Sequence, residues 1–122
     1  MDTNAVIQMF CDITGVAPED FDYGQLVTNG ETLVLSRLSV PESDIDATGI
    51  LCCEFAAAAS AAYEYACIKA AEELPVMSEN GEVSIRRGFP ELVTDMKKLR
   101  DSAFEVLAAA GLTGGGFAFV AV

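Results

Sequence analysis

Residues 50–74 form an almost unbroken run of small and apolar side chains, ILCCEFAAAASAAYEYACIKAAEEL. Alanine has the highest helix propensity because it loses no side-chain entropy on folding, so the run predicts one long helix of roughly 36 Å. Glu54 and Glu64 bracket its longest uncharged stretch of nine residues, which is too short for a membrane span of about 20 apolar residues. The sequence therefore predicts a buried central helix around which the other elements pack.

Two rows of this predicted helix carry no charge. At helical spacing, the first row is Cys52, Ala56, Ala59, Tyr63, Cys67, Ala70 and Leu74, and the second is Leu51, Phe55, Ala58, Ala62, Ala66 and Ala70. The polar side chains fall on one narrow stripe, which includes Glu54, Glu64 and Lys69. Most of the helix surface must therefore be covered, either by the rest of the domain or in part by a second chain.

Length and charge limit the class of protein. The 122 residues correspond to a single domain, residues 1–122, that can bury a core without disulfides. With 19 acidic and 7 basic residues the net charge is −12, so sequence-specific nucleic-acid binding, which needs clustered Lys and Arg, is not expected. No signal peptide or lipidation motif is recognisable, so we expect neither secretion nor membrane association.

The charges are unevenly distributed along the chain. Residues 1–36 contain six acids and no base, whereas five of the seven bases lie within residues 86–100. The basic window is either a solvated helix face or a docking surface for the acidic N-terminal part of a neighbouring subunit.

The residue types that carry most enzyme chemistry are missing. The chain has no histidine, which removes the general base of Ser-His-Asp and Cys-His catalysis. The four cysteines lack C-x-x-C spacing, so no metal site is predicted, and we interpret them as buried free thiols of a reducing, cytoplasmic compartment. They are Cys11, Cys52, Cys53 and Cys67. We therefore expect no enzyme activity, no cofactor and no metal.

Helix boundaries can be predicted at two places before residue 50. Residues 4–14 have helical apolar spacing, with Thr3 as the predicted N-cap and Gly15 placed to end the helix. For the central helix, Asp46 or Thr48 is the expected N-cap, because both residue types accept hydrogen bonds from the first turn.

Residues 25–39 allow two interpretations. Asn29-Gly30 between two apolar runs is a strong hairpin signal, whereas the apolar residues up to Leu38 also suit one face of a helix. We favour a helix over residues 31–39.

A second amphipathic helix is predicted after residue 88. Its apolar row is Leu92, Met96, Leu99, Ala103, Val106 and Ala110. Phe89 and Pro90 open this helix, and Gly111 is placed to close it.

Two segments have strand character. Residues 82–87 alternate between apolar and polar side chains, with Val83 and Ile85 on one side. Residues 117–122 are uncharged, follow three glycines, and would form a strand of roughly 20 Å. Because an exposed strand of this composition promotes aggregation, we expect it to pair, either within the chain or by strand addition to the next subunit. The predicted fold class is mainly α, a helical bundle around one long Ala-rich helix, with a small β element formed by residues 82–87 and 117–122.

Residues 31–122 contain, in order, an Ala-rich helix with tyrosines (AAAASAAYEYACIKAA), a GEVSI strand, an amphipathic helix and a GGGFAFVAV segment. This layout resembles small head-tail connector and adaptor proteins of tailed bacteriophages and prophages. Residues 1–30 lie outside the resemblance. Proteins of this class are not enzymes; they form rings that join the packaged head to the tail.

The resemblance implies a homo-oligomeric ring that contacts portal or tail proteins, first in the cytoplasm of the bacterial host and then in the virion. The residues expected at subunit interfaces are Val83, Ile85, Arg86, Arg87, Phe117, Phe119 and Val120. Together with the net charge, the resemblance suggests an acidic channel through which DNA slides. The alternative is a cytoplasmic helical protein-protein interaction module, or small regulator, that presents its Ala-rich surface to a partner helix.

The central-helix interpretation makes a stability prediction at Ala59. Replacing Ala59 by Leu adds a bulky side chain to a closely packed row and should lower the free energy of unfolding by roughly 1 to 3 kcal/mol. Equilibrium unfolding in urea measures this loss. An unchanged free energy of unfolding would mean that Ala59 is not buried.

Overall fold

The computed structural model describes residues 1–72, 76–77, 83–84 and 89–114. Within them the chain is mainly helical, as predicted. The helices are α1 (Thr3–Thr14), α2 (Gly24–Arg37), α3 (Ala47–Glu72) and α4 (Phe89–Ala109), with short 3-10 turns at Pro18–Asp20 and Glu42–Asp44. Among the described residues, no helix combines the length and the apolar character needed to cross a membrane.

Two-residue strands β1 (Val76–Met77) and β2 (Val83–Ser84) pair antiparallel between α3 and α4. Val76 lies opposite Ser84, and Met77 lies opposite Val83. The predicted partner segment, residues 117–122, lies outside the described residues, so its pairing with residues 82–87 stays a prediction.

The long helix α3 lies at the centre of the bundle and packs against α1, α2 and α4. Its bounds are close to the predicted residues 50–74. Asp46 is the cap, because its Oδ1 accepts the backbone N–H of Gly49 at 2.7 Å, which satisfies one of the unpaired donors of the first turn.

The ends of α1 follow the same capping chemistry. The N-cap is Asp2, whose side chain accepts the backbone N–H of Asn4 at 3.0 Å, so the prediction of Thr3 was wrong by one residue. Gly15 ends the helix as predicted, with a φ of 77° in the left-handed region that glycine adopts without steric cost. Gly111 has the same conformation after α4, with a φ of 76°.

The helix favoured for this region is confirmed, and the hairpin alternative at Asn29-Gly30 is wrong, because α2 runs through both residues. The helix begins at Gly24, seven residues before the predicted start at residue 31, and ends at Arg37 instead of residue 39. Gly30 is buried against the backbone of α3. A Cβ atom on Gly30 would overlap the carbonyl oxygen of Ala57 and lie 3.1 Å from its carbonyl carbon. This glycine therefore allows two helices to approach closely instead of forming a turn.

The middle of α3 is enclosed on all sides. Residues 56–62 are all buried, Ala59 among them, and they contribute almost no side-chain bulk. The larger side chains come from the surrounding helices: Val6 and Phe10 of α1, Val27 and Val34 of α2, and Phe104 and Leu107 of α4. Small residues on the central helix thus make room for large ones on its neighbours.

An aromatic cluster fixes the connection between α1 and α2. The ring of Phe10 lies 5.7 Å from Phe21, 5.6 Å from Tyr23 and 5.7 Å from Tyr65, measured between centroids. These separations fall within the range of favourable aromatic pairs. Tyr65 of α3 therefore packs against the core through its aromatic ring.

Glu54 does not belong to an exposed polar stripe, contrary to the sequence prediction. It is only 3% exposed, and its Oε2 accepts the backbone N–H of Asp2 at 2.6 Å. A buried carboxylate needs such a donor, and the N-cap residue of α1 provides it. The amino group of Met1 contacts Glu42 beside this position.

The buried face of α4 also differs from the predicted row. Val106 and Ala110 are exposed, whereas Phe104 and Leu107 are buried beside Ala103. The predicted row is half-buried at Leu92, Met96 and Leu99, buried at Ala103 and exposed from Val106 onward. At the end of α4 the core is contacted by Phe104 and Leu107 instead.

The Gly30–Ala57 contact makes a second stability prediction. Gly30→Ala should lower the free energy of unfolding by roughly 1 to 3 kcal/mol, because the added methyl group must push two backbones apart. Gly24→Ala is the matched control: nothing lies within 4 Å of its Cβ position, so it should be neutral or raise stability by about 0.4 to 1 kcal/mol. Urea unfolding of the two variants compares them directly; equal effects would contradict the close approach.

Candidate interaction groove

An apolar groove of about 420 Å³ lies between α1, α3 and α4. We call it the interaction groove. It is lined by Met9, Thr48, Leu51, Cys52, Phe55, Ser102, Ala103 and Val106. Thr48 and Ser102 contribute hydroxyl groups, and the other side chains of this lining are apolar or carry a thiol. Its volume falls within the range of about 300 to 1,000 Å³ that is typical of ligand pockets.

Three large apolar side chains of the groove face solvent. Leu51 is 54% exposed, Phe55 is 36% exposed and Val106 is 51% exposed. Single exposed apolar residues are common on protein surfaces, but three around one concavity form a patch of the kind that marks interaction sites. Leu51 and Phe55 are neighbours on one face of α3, since they are four residues apart.

Leu51 and Phe55 belong to the second uncharged row of the central helix, and their exposure bears on whether the chain itself covers that row. Further along it, Ala58, Ala62 and Ala66 are fully buried within the chain. The first turn and a half of the row is not covered by the described residues. An uncharged row therefore divides into a buried Ala half and an exposed half with large side chains.

A second cleft of about 340 Å³ continues the groove toward the end of α4. It shares Thr48 and Cys52 with the groove and adds Ala110 and Leu112 on the α4 side. The carboxylates of Asp44 and Asp46 also line it. The groove thus changes from apolar at one end to acidic at the other.

The four cysteines fall into two groups, all of them free thiols. Cys11 and Cys53 are buried, and burial raises the pKa of each thiol, which makes both poor nucleophiles at neutral pH. Cys52 and Cys67 are partly exposed, so the prediction of buried thiols was wrong for these two. Among the described residues, no group of three or more His, Cys, Asp or Glu side chains can hold a metal ion.

A separate polar arrangement joins α3 and α4 around Tyr63. The guanidinium carbon of Arg100 lies 4.4 Å from the centroid of the Tyr63 ring, a favourable cation–π distance. Arg100 also donates to Asp101 at 3.1 Å, and the hydrogen bond with Cys67 raises the pKa of the Tyr63 hydroxyl. These contacts link one residue of the basic window to its own chain.

The predicted interface residues fall mainly outside the described part of the chain. The backbone of Val83 lies in β2 opposite Met77. Ile85, Arg86, Arg87, Phe117, Phe119 and Val120 lie outside the described residues. Their role at subunit contacts stays a prediction.

Comparisons with protein-family models, with curated proteins and with solved structures find no match to this chain. The described fold defines a mainly helical protein with an Ala-rich central helix. Its function must therefore be argued from its own surfaces.

If the groove serves interaction, its solvent-facing side chains should contribute less to folding than the fully buried core side chains. Phe10→Ala should cost about 3 to 5 kcal/mol, because Phe10 is fully buried. Phe55→Ala should cost less than about 2 kcal/mol, because the ring already faces solvent in part. Urea unfolding of both variants measures the difference, and equal losses would show that Phe55 belongs to the core.

Proposed function

We propose that the chain is a structural assembly protein that forms an oligomeric ring, with the interaction groove as a subunit contact. The observation that carries this proposal is the exposure of Leu51, Phe55 and Val106 around one concavity. Removing apolar surface from water is favourable by about 25 cal/mol per Å². The net charge of −12 keeps the remaining surface soluble, so association is confined to the apolar patch.

The particular assembly that we propose is the ring between the head and the tail of a tailed bacteriophage. The support is the order of elements in residues 31–122, where α3, β2 and α4 precede a glycine-led apolar segment. Portal or tail proteins are the partners in this proposal, in the host cytoplasm and then in the virion. An acidic surface would repel the phosphates of passing DNA, so DNA would slide without binding. The role requires no catalytic residue and no cofactor.

A helical interaction module or small regulator is the second candidate, and one observation favours it. Leu51 and Phe55 are four residues apart in a groove between helices, which is the geometry that receives an amphipathic helix of a partner. In that case the groove would bind a different protein instead of another copy of this chain.

The assembly proposal predicts that a charge in the groove prevents oligomer formation. Native mass spectrometry and sedimentation velocity of the full chain at high concentration should show a closed oligomer. Phe55→Glu should be monomeric, because a carboxylate cannot be buried without a partner. Leu35→Glu is the matched control, since Leu35 is 46% exposed and does not line the groove; this variant should assemble like the wild type.

Two outcomes would contradict the assembly proposal. One is a wild-type chain that stays monomeric at high concentration even with a phage portal present. The other is an equal effect of Phe55→Glu and Leu35→Glu, which would place the contact elsewhere. Neighbouring genes for a terminase, a portal, a capsid and a tail distinguish the connector from the interaction module, and their absence favours the module.

A further inference from the structure

The interaction groove requires an occupant that is apolar and uncharged. Its lining offers apolar side chains and hydroxyls, so a charged side chain entering it would lose hydration without gaining a partner. Residues 106–122 form the longest stretch of this sequence without Asp, Glu, Lys or Arg, and residues 117–122 within it read FAFVAV. This chain therefore contains a segment with the chemistry that its own groove selects.

We propose that the interaction groove of one subunit receives residues 117–122 of a second copy of the chain. The proposal rests on the proposed assembly function and names the contact that would hold the subunits together. It differs from pairing with the strand at residues 82–87, because the receiving surface is the groove of α1, α3 and α4. The side chains expected to enter are Phe117 and Phe119.

The described chain after α4, which ends at Gly114, leads toward α2 and not into the groove. The backbone N–H of Ser39 donates to the carbonyl of Leu112 at 2.8 Å, and Leu38 and Thr113 form an antiparallel bridge. In an antiparallel register the next residue, Gly114, runs back toward the end of α2. Leu112 still lines the cleft beside the groove, whereas Thr113 and Gly114 do not.

The middle of α2 and the groove lie on different faces of α3. Gly30 of α2 packs on Ala57, whereas Phe55 faces the groove. Two residues along a helix correspond to a rotation of about 200°, so these two contacts lie on nearly opposite sides. Gly114 thus runs toward the α2 side of α3 and not toward the groove, which favours the groove of a neighbouring copy as the receiving site.

The length of residues 114–122 and the symmetry of the contact both agree with binding of the segment to a second copy of the chain. Fully extended, residues 114–122 span roughly 30 Å, whereas α3 passes along the groove from Thr48 to Phe55 over about 10 Å. The segment and the groove are different surfaces of one chain, so the contact is head to tail. Contacts of this kind generate a ring when the rotation between subunits closes, which is the assembly proposed above.

Cys52 provides a native reporter of groove occupancy. It lines the groove and is partly exposed, as is Cys67, which lies 15 residues further along α3, about 22 Å away. The experiment measures alkylation rates by iodoacetamide at both thiols, peptide by peptide, in the full chain at oligomer-forming concentration. The same rates are measured in the double variant Phe117→Ser, Phe119→Ser.

We expect the double variant to raise the Cys52 rate at least about tenfold and to leave the Cys67 rate unchanged. Dilution of the wild type to monomer should raise the Cys52 rate in the same way. Equal Cys52 rates in wild type and double variant would overturn the proposal. Protection of Cys52 that persists after dilution would also overturn it, because the groove would then hold the segment of its own chain. An oligomer that persists with an unprotected Cys52 would overturn only this inference, whereas a monomer under all conditions would also overturn the assembly function.

A cross-linking measurement tests the same contact without relying on solvent exposure. The variants Val106→Cys and Phe119→Cys are purified separately, mixed and oxidised, and the disulfide between the two introduced thiols is mapped by mass spectrometry. We expect this intermolecular link to form, and a mixture of Leu35→Cys with Phe119→Cys not to form one. Equal yields from the two mixtures would overturn the proposal.

Discussion

The close approach of Gly30 to Ala57 is the contact on which the rest of the bundle depends. Helix axes normally lie 8 to 10 Å apart, at a distance set by the side chains between them. Here a Cβ atom on Gly30 would overlap the carbonyl oxygen of Ala57, so α2 lies closer to α3 than a residue with a side chain at position 30 would allow. With α2 in that position, the alanines of α3 are enclosed, and the Val and Phe side chains of the surrounding helices fill the remaining volume.

The part of α3 that carries Leu51 and Phe55 is open to solvent, in contrast to its enclosed alanines. Where α3 presents alanine, its neighbours close over it; where it presents Leu51 and Phe55, the groove between α1 and α4 stays open. In the proposed assembly, the core and the subunit contact would thus use different parts of one uncharged row. Because a groove side chain that faces solvent contributes little to the core, this surface is free to match a partner without loss of the fold.

Features determined by local chemistry could be predicted from the sequence, and those determined by packing could not. The long helix, its Asp46 cap and the terminal Gly15 and Gly111 follow from propensity and capping. The Asn29-Gly30 ambiguity has its origin in competition between turn propensity and tertiary contact, because the same glycine suits a hairpin and a close helix crossing. Burial of Glu54 depends on a donor 52 positions away, which no local pattern reveals. The groove likewise combines residues of three helices, although the change from Leu and Phe to Ala along one row was visible.

The central claim is that the interaction groove is a contact between copies of this chain. A cryo-electron microscopy map of the assembled protein tests this claim most directly, because it shows what lies over Leu51 and Phe55. The account predicts side-chain density from a neighbouring subunit in the groove, continuous with its residues 114–122. A well-resolved oligomer with only solvent over Leu51 and Phe55 would contradict it.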